Sequence, residues 1–364
     1  MIGLADSLTS FYRGRRVLIT GHTGFKGSWL VLWLRKMGAT TIGVALPPVS
    51  PLSLFSSAQL DSPEDRVCDV TSLADLRAVF RDTKPDIVFH LAAQAIVGLA
   101  YQDPVGTFET NVMGSAHVLE CVRSQPSVAA AVMITSDKCY ENVEQLSGYR
   151  EVDRLGGVDP YSASKAGAEI VISSFTRSFL QEAGTANVAS ARAGNVVGGG
   201  DWSEFRLIPD CVRSLRATAP ISLRSPEATR PWQFVLEPLA GYLLLGMQLV
   251  EKGKRFQGAW NFGPPGDNTK TVEFGAQSVV DVWGDGSIER LASTPFHEST
   301  LLQLDSAKAK RYLGWRSVID FPGTMELTTQ WYKHQFATQD ASMRDYSLDQ
   351  LRAFEERLNR DVLL

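Results

Sequence analysis

Two groups of polar residues near the middle of the chain have side chains suited to acid–base chemistry. Residues 135–138 read Thr-Ser-Asp-Lys. Tyr161 and Lys165 come later in the chain, and their spacing corresponds to about one turn of a helix. If a helix begins near Pro160, both side chains lie on one of its faces. The ammonium of Lys165 would then favour the phenolate and lower the pKa of Tyr161. Tyr161 is therefore a candidate general base.

Composition narrows the function classes that this chain fits. It has 364 residues, 44% of them apolar, and a net charge of -4. This length is enough for a large core and predicts two lobes. Because the chain has no excess of basic residues, we do not expect it to bind nucleic acid or acidic membrane surfaces.

The four cysteines predict a reducing compartment and no metal site, because they are scattered and lack metal-ligand spacing. They are Cys68, Cys121, Cys139 and Cys211. Residues 1–12 do not resemble a signal peptide, and no apolar run is long enough to span a membrane. We therefore expect a soluble cytoplasmic protein.

A glycine-rich turn near the N-terminus has the flanks that a phosphate-binding site requires. Residues 16–20 form an apolar run, the turn 21–27 reads Gly-His-Thr-Gly-Phe-Lys-Gly, and a helical pattern ends at Gly38. Gly21 would permit the tight turn, Gly24 the approach of a pyrophosphate, and Gly27 close packing of helix on strand. A dinucleotide site is the favoured interpretation, and a plain strand-to-helix turn is the alternative.

Further alternation of apolar runs and helical patterns predicts a doubly wound parallel sheet, a Rossmann-type α/β fold. The second strand, 41–46, ends in Pro47-Pro48 without an acid, so this position does not choose between NAD and NADP. Asp69 suits either an adenine contact or the start of a helix. Residues 92–94 suit either a close cofactor approach or tight packing.

Residues 135–138 follow the predicted fifth strand, 130–134. Ligands of such folds collect at the carboxyl ends of strands, so the sequence places these polar side chains in the binding crevice. The alternative for Asp137 and Lys138 is a surface ion pair at the start of a loop. Further predictions are a sixth strand over 187–192, helices over 107–123 and 236–251, and a helical, solvated surface over 349–360.

The chain resembles CDP-glucose 4,6-dehydratases of the extended short-chain dehydrogenase/reductase superfamily. The resemblance covers about residues 11–331 and rests on seven motifs: GHTGFKGSWL at 21–30, TSDKCY at 135–140, GYRE at 148–151, DPYS at 159–162, RAGNV at 192–196, GGGDW at 198–202 and RPW at 230–232. It implies a Rossmann domain over 1–195, with returning segments near 230–262, and a smaller nucleotide-sugar lobe mainly over 196–364.

The resemblance also implies a reaction and a role for each candidate catalytic residue. Tyr161 would deprotonate the sugar 4-hydroxyl while NAD accepts hydride from C4, with Ser136 holding the oxygen and Lys165 the nicotinamide ribose. A neutral Lys138 would remove H5, and a protonated Asp137 would donate to the departing 6-hydroxyl. Hydride would then return to C6.

Binding residues follow from the same resemblance. NAD, rather than NADP, would contact Gly21, Thr23, Gly24, Phe25, Lys26, Gly27, Asp69, Val70, Leu91, Ala92, Ala93, Gln94, Asn111, Thr135, Tyr161, Lys165 and Val196. The nucleotide sugar would contact Gln94, Ser136, Asn195, Leu207, Arg213, Arg230 and His297, with Arg230 favoured over Arg213 for the diphosphate. No metal is implied. A homodimer is expected through helices near 107–123 and 161–181, with a tetramer as the alternative.

The chain departs from the family pattern at three places. Residues 143–147 lack the expected tryptophan, Gly98 replaces an arginine, and Phe234 replaces a histidine. These changes leave open another nucleotide hexose as substrate. Two other functions also stay open, an epimerase or oxidoreductase that uses Tyr161 and Lys165 alone, and a dinucleotide sensor without turnover.

Overall fold

The computed structural model describes residues 3–291, 301–337 and 342–360. Its strands are β1 Arg16–Thr20, β2 Thr40–Ala45, β3 Arg66–Val67, β4 Ile87–His90, β5 Ala130–Ile134, β6 Asn187–Ala193, β7 Val196–Val197, β8 Ile221–Leu223, β9 Thr229–Pro231, β10 Gln233–Phe234, β11 Gly258–Phe262, β12 Thr269–Thr271 and β13 Ile288–Arg290.

The α-helices are α1 Leu4–Tyr12, α2 Phe25–Lys36, α3 Leu54–Ser57, α4 Leu73–Thr83, α5 Val97–Gln102, α6 Pro104–Phe108, α7 Gly114–Ser124, α8 Pro160–Phe179, α9 Leu207–Arg216, α10 Leu236–Lys252, α11 Val272–Trp283, α12 Ala307–Leu313, α13 Phe321–Ala337 and α14 Met343–Arg360. Short 3-10 helices cover Asp137–Cys139, Gly253–Phe256 and Gly266–Asn268, and a π-helical turn covers Glu109–Met113.

A seven-stranded sheet organises the molecule, in the order β11-β6-β5-β4-β1-β2-β3, and its paired strands are parallel. Helices cover both of its faces, so apolar side chains are buried on each side. In β1, Val17 and Ile19 pack into one core with Trp29, whereas Leu18 packs into the other with Ile172. The predicted Rossmann-type class is confirmed.

Most predicted elements lie within two residues of their observed bounds. The helix predicted over 107–123 is instead a composite, because α6, the π-helical turn and α7 follow one another without a break. The prediction that 349–360 is a solvated surface is wrong for one face of α14. There Leu351, Phe354 and Leu358 are buried, and Phe354 packs edge-on against Trp33.

Four further observations bear on the sequence predictions. The four cysteines are unpaired and buried. In the part of the chain that the structure describes, no cluster of His, Cys, Asp or Glu is arranged to hold a metal, and no helix has the length and apolarity to cross a membrane. His297, predicted to contact substrate, lies outside the described residues.

Candidate active site

The glycine turn has the shape that a dinucleotide requires. Gly21 adopts a φ of +71°, and a Cβ there would lie 2.7 Å from the amide nitrogen of Ala92. A Cβ on Gly27 would lie 2.1 Å from the carbonyl oxygen of Gly21. The turn and the end of β4 therefore touch, and Gly24 precedes α2 as its N-cap. The helix N-terminus offers amide donors and a positive dipole end, so these residues fit the pyrophosphate of NAD.

Two other predicted NAD residues lie at the edge of the sheet. The hydroxyl of Thr23 donates to the carbonyl of Leu46 at 2.9 Å, which ties the turn to the end of β2. Asp69 is exposed, and its carboxylate accepts from the amide of Thr71 at 2.9 Å. Ser72, not Asp69, caps α4. Asp69 thus organises the approach to the helix and still presents its side chain to solvent.

Gln94 and Asn111 are joined by hydrogen bonds. The side chain of Asn111 is buried, accepts from the Gln94 amide at 2.9 Å and donates to the Gln94 carbonyl at 2.9 Å. The Gln94 side chain is engaged as well, since it donates to Thr107 at 2.9 Å and accepts from the Ile96 amide at 2.6 Å. These bonds fix the loop after β4, so in this structure both residues support the wall of the crevice.

A one-turn 3-10 helix after β5 carries the predicted acid and base. The Ser136 hydroxyl caps it by accepting from the Lys138 amide at 3.2 Å, and donates to Oδ1 of Asp137 at 2.9 Å. Ser136 and Asp137 are buried, and Lys138 is half-buried. A serine before a short turn is a usual cap, so the local sequence itself explains this geometry.

Helix α8 delivers Tyr161 and Lys165 to the same crevice. Asp159 caps the helix by accepting from the Ser162 amide at 3.0 Å, and Pro160 occupies its first turn. Both Tyr161 and Lys165 are buried. Their predicted placement one turn apart on a helix that begins at Pro160 is confirmed.

The predicted lowering of the Tyr161 pKa is wrong for this structure. Burial raises the pKa of Tyr161 to about 12, although the hydrogen bond with Ser136 opposes this rise. Burial also lowers the pKa of Lys165 to about 8, against the opposing charge of Glu169. Removal from water disfavours both charged forms, and the sequence could not reveal how deeply the pair lies.

Asp137 lies where a carboxylic acid stays protonated more readily. Burial raises its pKa, while the charge of Lys138 and the hydrogen bond from Ser136 act in the opposite direction. A Cβ on Gly194 would lie 2.7 Å from Oδ2 of Asp137. The absence of a side chain at Gly194 therefore leaves room for this carboxyl group.

A cleft of about 1460 Å³ opens over these groups, large enough for a nucleotide sugar beside a nicotinamide. Its walls include many predicted site residues: Lys26, Leu91, Ala93, Thr135, Ser136, Asp137, Lys138, Tyr161, Lys165, Asn195, Val196, Leu207, Arg213 and Arg230. Burial lowers the pKa of Lys26 to about 7, helped by the charge of Arg206.

Arg206 and Arg224 also line this cleft, and sequence reasoning missed both. Arg206 is the N-cap residue of α9 and pairs with Asp201 at 3.2 Å. Arg206 directly precedes the predicted substrate residue Leu207, and this position could have indicated from the sequence that it lines the cleft. Arg213 pairs with Asp210 at 2.5 Å, so part of its charge is already balanced.

The three departures from the family pattern fall in different surroundings. Gly98 lines the cleft, and a Cβ there would meet the ring of Phe205 at 3.7 Å. Val143 lines the cleft as well. Phe234 is instead fully buried, packed against Trp29 with ring centroids 6.3 Å apart. Its replacement of a histidine therefore changes the core.

A doubly wound sheet, a glycine turn at its first crossover and a buried tyrosine–lysine pair together define a dinucleotide-dependent enzyme of the α/β class. A profile of the NAD dependent epimerase/dehydratase family matches residues 17–261. The chain belongs to this family.

Relatives extend over nearly the whole chain. A CDP-glucose 4,6-dehydratase of Salmonella typhimurium is 46% identical over 330 residues, which cover 89% of this chain and 92% of that protein. A dTDP-glucose 4,6-dehydratase of the same organism is 24% identical, with 87% and 92% covered.

Solved structures share the fold. The epimerase Mth375 of Methanothermobacter thermautotrophicus superposes with a TM-score of 0.79 at 23% identity, covering 92% of this chain and 96% of that one. A dTDP-glucose 4,6-dehydratase of Streptomyces venezuelae, solved with NAD and TYD, gives 0.75 at 24% identity, covering 88% and 97%. At these identities the likeness concerns architecture alone.

Proposed function

We propose that this protein is an NAD-dependent CDP-glucose 4,6-dehydratase. The observation that carries the proposal is the buried Asp137 next to Lys138, in the same crevice as Ser136, Tyr161 and Lys165. An epimerase or oxidoreductase needs the last three groups and has no use for an additional acid and base. The 46% identical relative named CDP-glucose 4,6-dehydratase supports the choice of substrate.

The redox step depends on Tyr161, Ser136 and Lys165. Bound NAD supplies the hydride acceptor and, in its oxidised form, a positive charge that favours a phenolate. Tyr161 takes the proton of the sugar 4-hydroxyl, and Ser136 holds the same oxygen. The ammonium of Lys165, one helical turn away, orients the ribose and stabilises the phenolate. The turn 21–27 and the N-terminus of α2 hold the pyrophosphate.

Water elimination depends on the 3-10 turn. Once C4 is a ketone, the hydrogen on C5 becomes acidic, and a neutral Lys138 removes it. Asp137 donates its proton to the departing 6-hydroxyl. Burial favours the protonated form of Asp137, which suits the role of a general acid.

The remaining cleft walls suit a nucleoside diphosphate. Asn195 and Leu207 lie beside the reacting groups, and Arg213 and Arg230 contribute guanidinium groups for the diphosphate. Arg230 is the stronger choice, because Pro231 follows it directly and restricts its backbone. We assign sugar binding to the part of the chain after residue 195 and cofactor binding mainly to residues 1–195, with β11 returning to the sheet.

We further propose that the enzyme works in the cytoplasm as a homodimer. Five apolar side chains along α6, the π-helical turn and α8 are exposed to solvent, and their exposed fractions lie between 40% and 67%: Val105, Phe108, Met113, Ile170 and Phe179. Exposed apolar side chains on these helices favour an interface with a second copy. Light scattering of wild type and Ile170→Glu tests the dimer, which the substituted charge should dissociate.

Mass spectrometry of the purified protein with NAD and separate nucleotide hexoses tests the reaction. Loss of water from CDP-glucose alone is the expected result. Loss from dTDP-glucose, UDP-glucose or GDP-mannose instead would keep the mechanism and move the specificity to Gly98 and residues 143–147. No loss from any of the four would refute the proposal.

A Lys138→Met variant separates dehydratase from epimerase or oxidoreductase chemistry. Lys138 has no role in hydride transfer at C4, so the variant should lose water elimination and still exchange hydride at that carbon. Equal water release by variant and wild type would exclude Lys138 as the base.

A further inference from the structure

A buried ion pair lies directly behind the 3-10 turn. Glu169 and Arg192 are each almost fully buried, and the guanidinium donates twice to the carboxylate, at 3.0 Å from Nε and 2.7 Å from Nη2. Ser190 adds a third donor at 2.7 Å. Glu169 lies one helical turn after Lys165 on α8, and Arg192 lies on β6.

The same pair reaches both ends of the catalytic turn. On one side, the hydroxyl of Thr135, directly before Ser136, donates to Glu169. On the other side, Nη1 of Arg192 donates to the hydroxyl of Tyr140 at 2.6 Å. That hydroxyl in turn donates to Oδ1 of Asn261 at 2.8 Å.

The turn has little to hold it in place by itself. Its two backbone bonds, from Cys139 to the carbonyl of Ser136 and from Tyr140 to that of Asp137, are both 3.3 Å long. Bonds of this length are weak, and a single 3-10 turn has poorer hydrogen-bond geometry than an α-helix. External anchors therefore decide where Asp137 and Lys138 point.

Stability alone does not explain an ion pair at this place. Removing two charges from water is expensive, and an apolar pair of similar volume is often as stable or more so. A guanidinium and a carboxylate differ from apolar groups in fixing the direction of several hydrogen bonds at once.

We propose that Glu169 and Arg192, with the hydroxyls of Thr135 and Tyr140, form a clamp that positions the catalytic turn. Thr135 and Tyr140 line the cleft, whereas Glu169 and Arg192 lie behind it and are not among its lining residues. Glu169 and Arg192 are thus positioning residues for the general acid and base, and this role rests on the proposed dehydratase function.

Tyr140→Phe is the most selective test, because it removes one hydroxyl and keeps the ring that stacks on Tyr149. Tyr12→Phe is the matched control, since the Tyr12 hydroxyl is equally buried and donates to Leu243 at 2.8 Å on another side of the sheet. Displacement of reacting groups by about 1 Å lowers rates up to about 100-fold. We expect kcat of Tyr140→Phe to fall at least about tenfold with KM unchanged, whereas Tyr12→Phe keeps both.

Glu169→Gln tests the other end of the clamp, and Glu355→Gln is its control. Glu355 lies on α14, is buried, and accepts from Trp33 at 2.9 Å and from Lys36 at 2.6 Å. Both variants should lower the melting temperature, but only Glu169→Gln should lower kcat measured well below that temperature.

Hydrogen exchange gives a readout that does not depend on turnover. Amides of residues 136–140 should exchange faster in Tyr140→Phe and Glu169→Gln than in wild type or either control. If wild type releases no water while this exchange pattern appears, the dehydratase proposal fails and the clamp stands. Unchanged exchange and unchanged kcat, in a wild type that turns over, would overturn the clamp. A rise in KM at constant kcat would overturn it too, because the residues would then serve binding.

Discussion

Replacing Gly194 by alanine should impair catalysis without unfolding the protein. The new Cβ would lie 2.7 Å from Oδ2 and 3.3 Å from Cγ of Asp137, and 3.7 Å from Cγ of Pro231. Ordinary contacts to a Cβ begin near 3.4 Å, so the carboxyl group must move by several tenths of an ångström. Oδ1 is bonded to Ser136, and the displacement therefore rotates the acid away from its place.

The size of the effect follows from this movement. A misplacement of about 1 Å lowers a rate by up to about 100-fold, so we expect a roughly 10- to 100-fold fall in kcat. Gly194 does not require a left-handed conformation. Alanine at this position should also restrict the conformations of the unfolded chain, which stabilises the folded protein by about 0.4–1 kcal/mol. This gain offsets part of the destabilisation that the close contact with Asp137 causes.

Water release from CDP-glucose and thermal melting are measured on the same preparations. Gly266→Ala is the control, because a Cβ at Gly266 meets nothing within 4 Å. Combination with Asp137→Asn gives the decisive comparison, since Gly194→Ala should add little once the acid is gone. Wild-type kcat in Gly194→Ala, or a full additional loss in the double variant, would refute the argument that this glycine makes room for the acid.

Three further outcomes are expected. Gly27→Ala should abolish NAD binding in calorimetry and lower the melting temperature, since its Cβ would lie 2.1 Å from a backbone oxygen; an unchanged dissociation constant would contradict this. Lys165→Met should be inactive yet more stable below about pH 8, because the pKa of Lys165 falls from 10.5 to about 8 on burial. This pKa shift corresponds to a destabilisation of the folded wild type by roughly 3 kcal/mol, which is fully present below the folded pKa and absent above 10.5. Equal melting curves of variant and wild type at neutral pH would be inconsistent with it. Lys84→Gly should stabilise by about 1 kcal/mol in urea unfolding, because the C-cap Lys84 has a φ of +43°; a loss of stability would contradict that expectation.

The sequence predicted the fold well because its signals are local. Strands β1, β4 and β5 are short apolar runs, and the glycine turn is read from seven consecutive residues. Likewise, a proline and an aspartate before Tyr161 mark the start of α8. Such patterns depend on neighbours in the chain and need no knowledge of tertiary contacts.

Tertiary contacts explain what was missed. Glu169 and Arg192 are 23 residues apart on different elements, and neither carries a motif that announces their pairing. The predicted direction of the Tyr161 pKa shift was wrong for a similar reason. Four-residue spacing shows that an ammonium is near, but only the packed structure shows that burial raises the Tyr161 pKa against the hydrogen bond with Ser136.

In the proposed dehydratase, the acid Asp137 and the base Lys138 can be compared in two protonation arrangements. An ion pair and a neutral pair contain the same number of protons and differ only in where one of them resides. The proposed water elimination would need the neutral pair, with the proton on the carboxyl group and the amine free. Burial raises the pKa of Asp137 and thereby favours that arrangement, whereas the charge of Lys138 opposes it. A neutral Lys138 would no longer oppose this rise in the pKa of Asp137. The buried position of Asp137 therefore favours the protonated acid that the proposed elimination needs, which a carboxylate exposed to water would not.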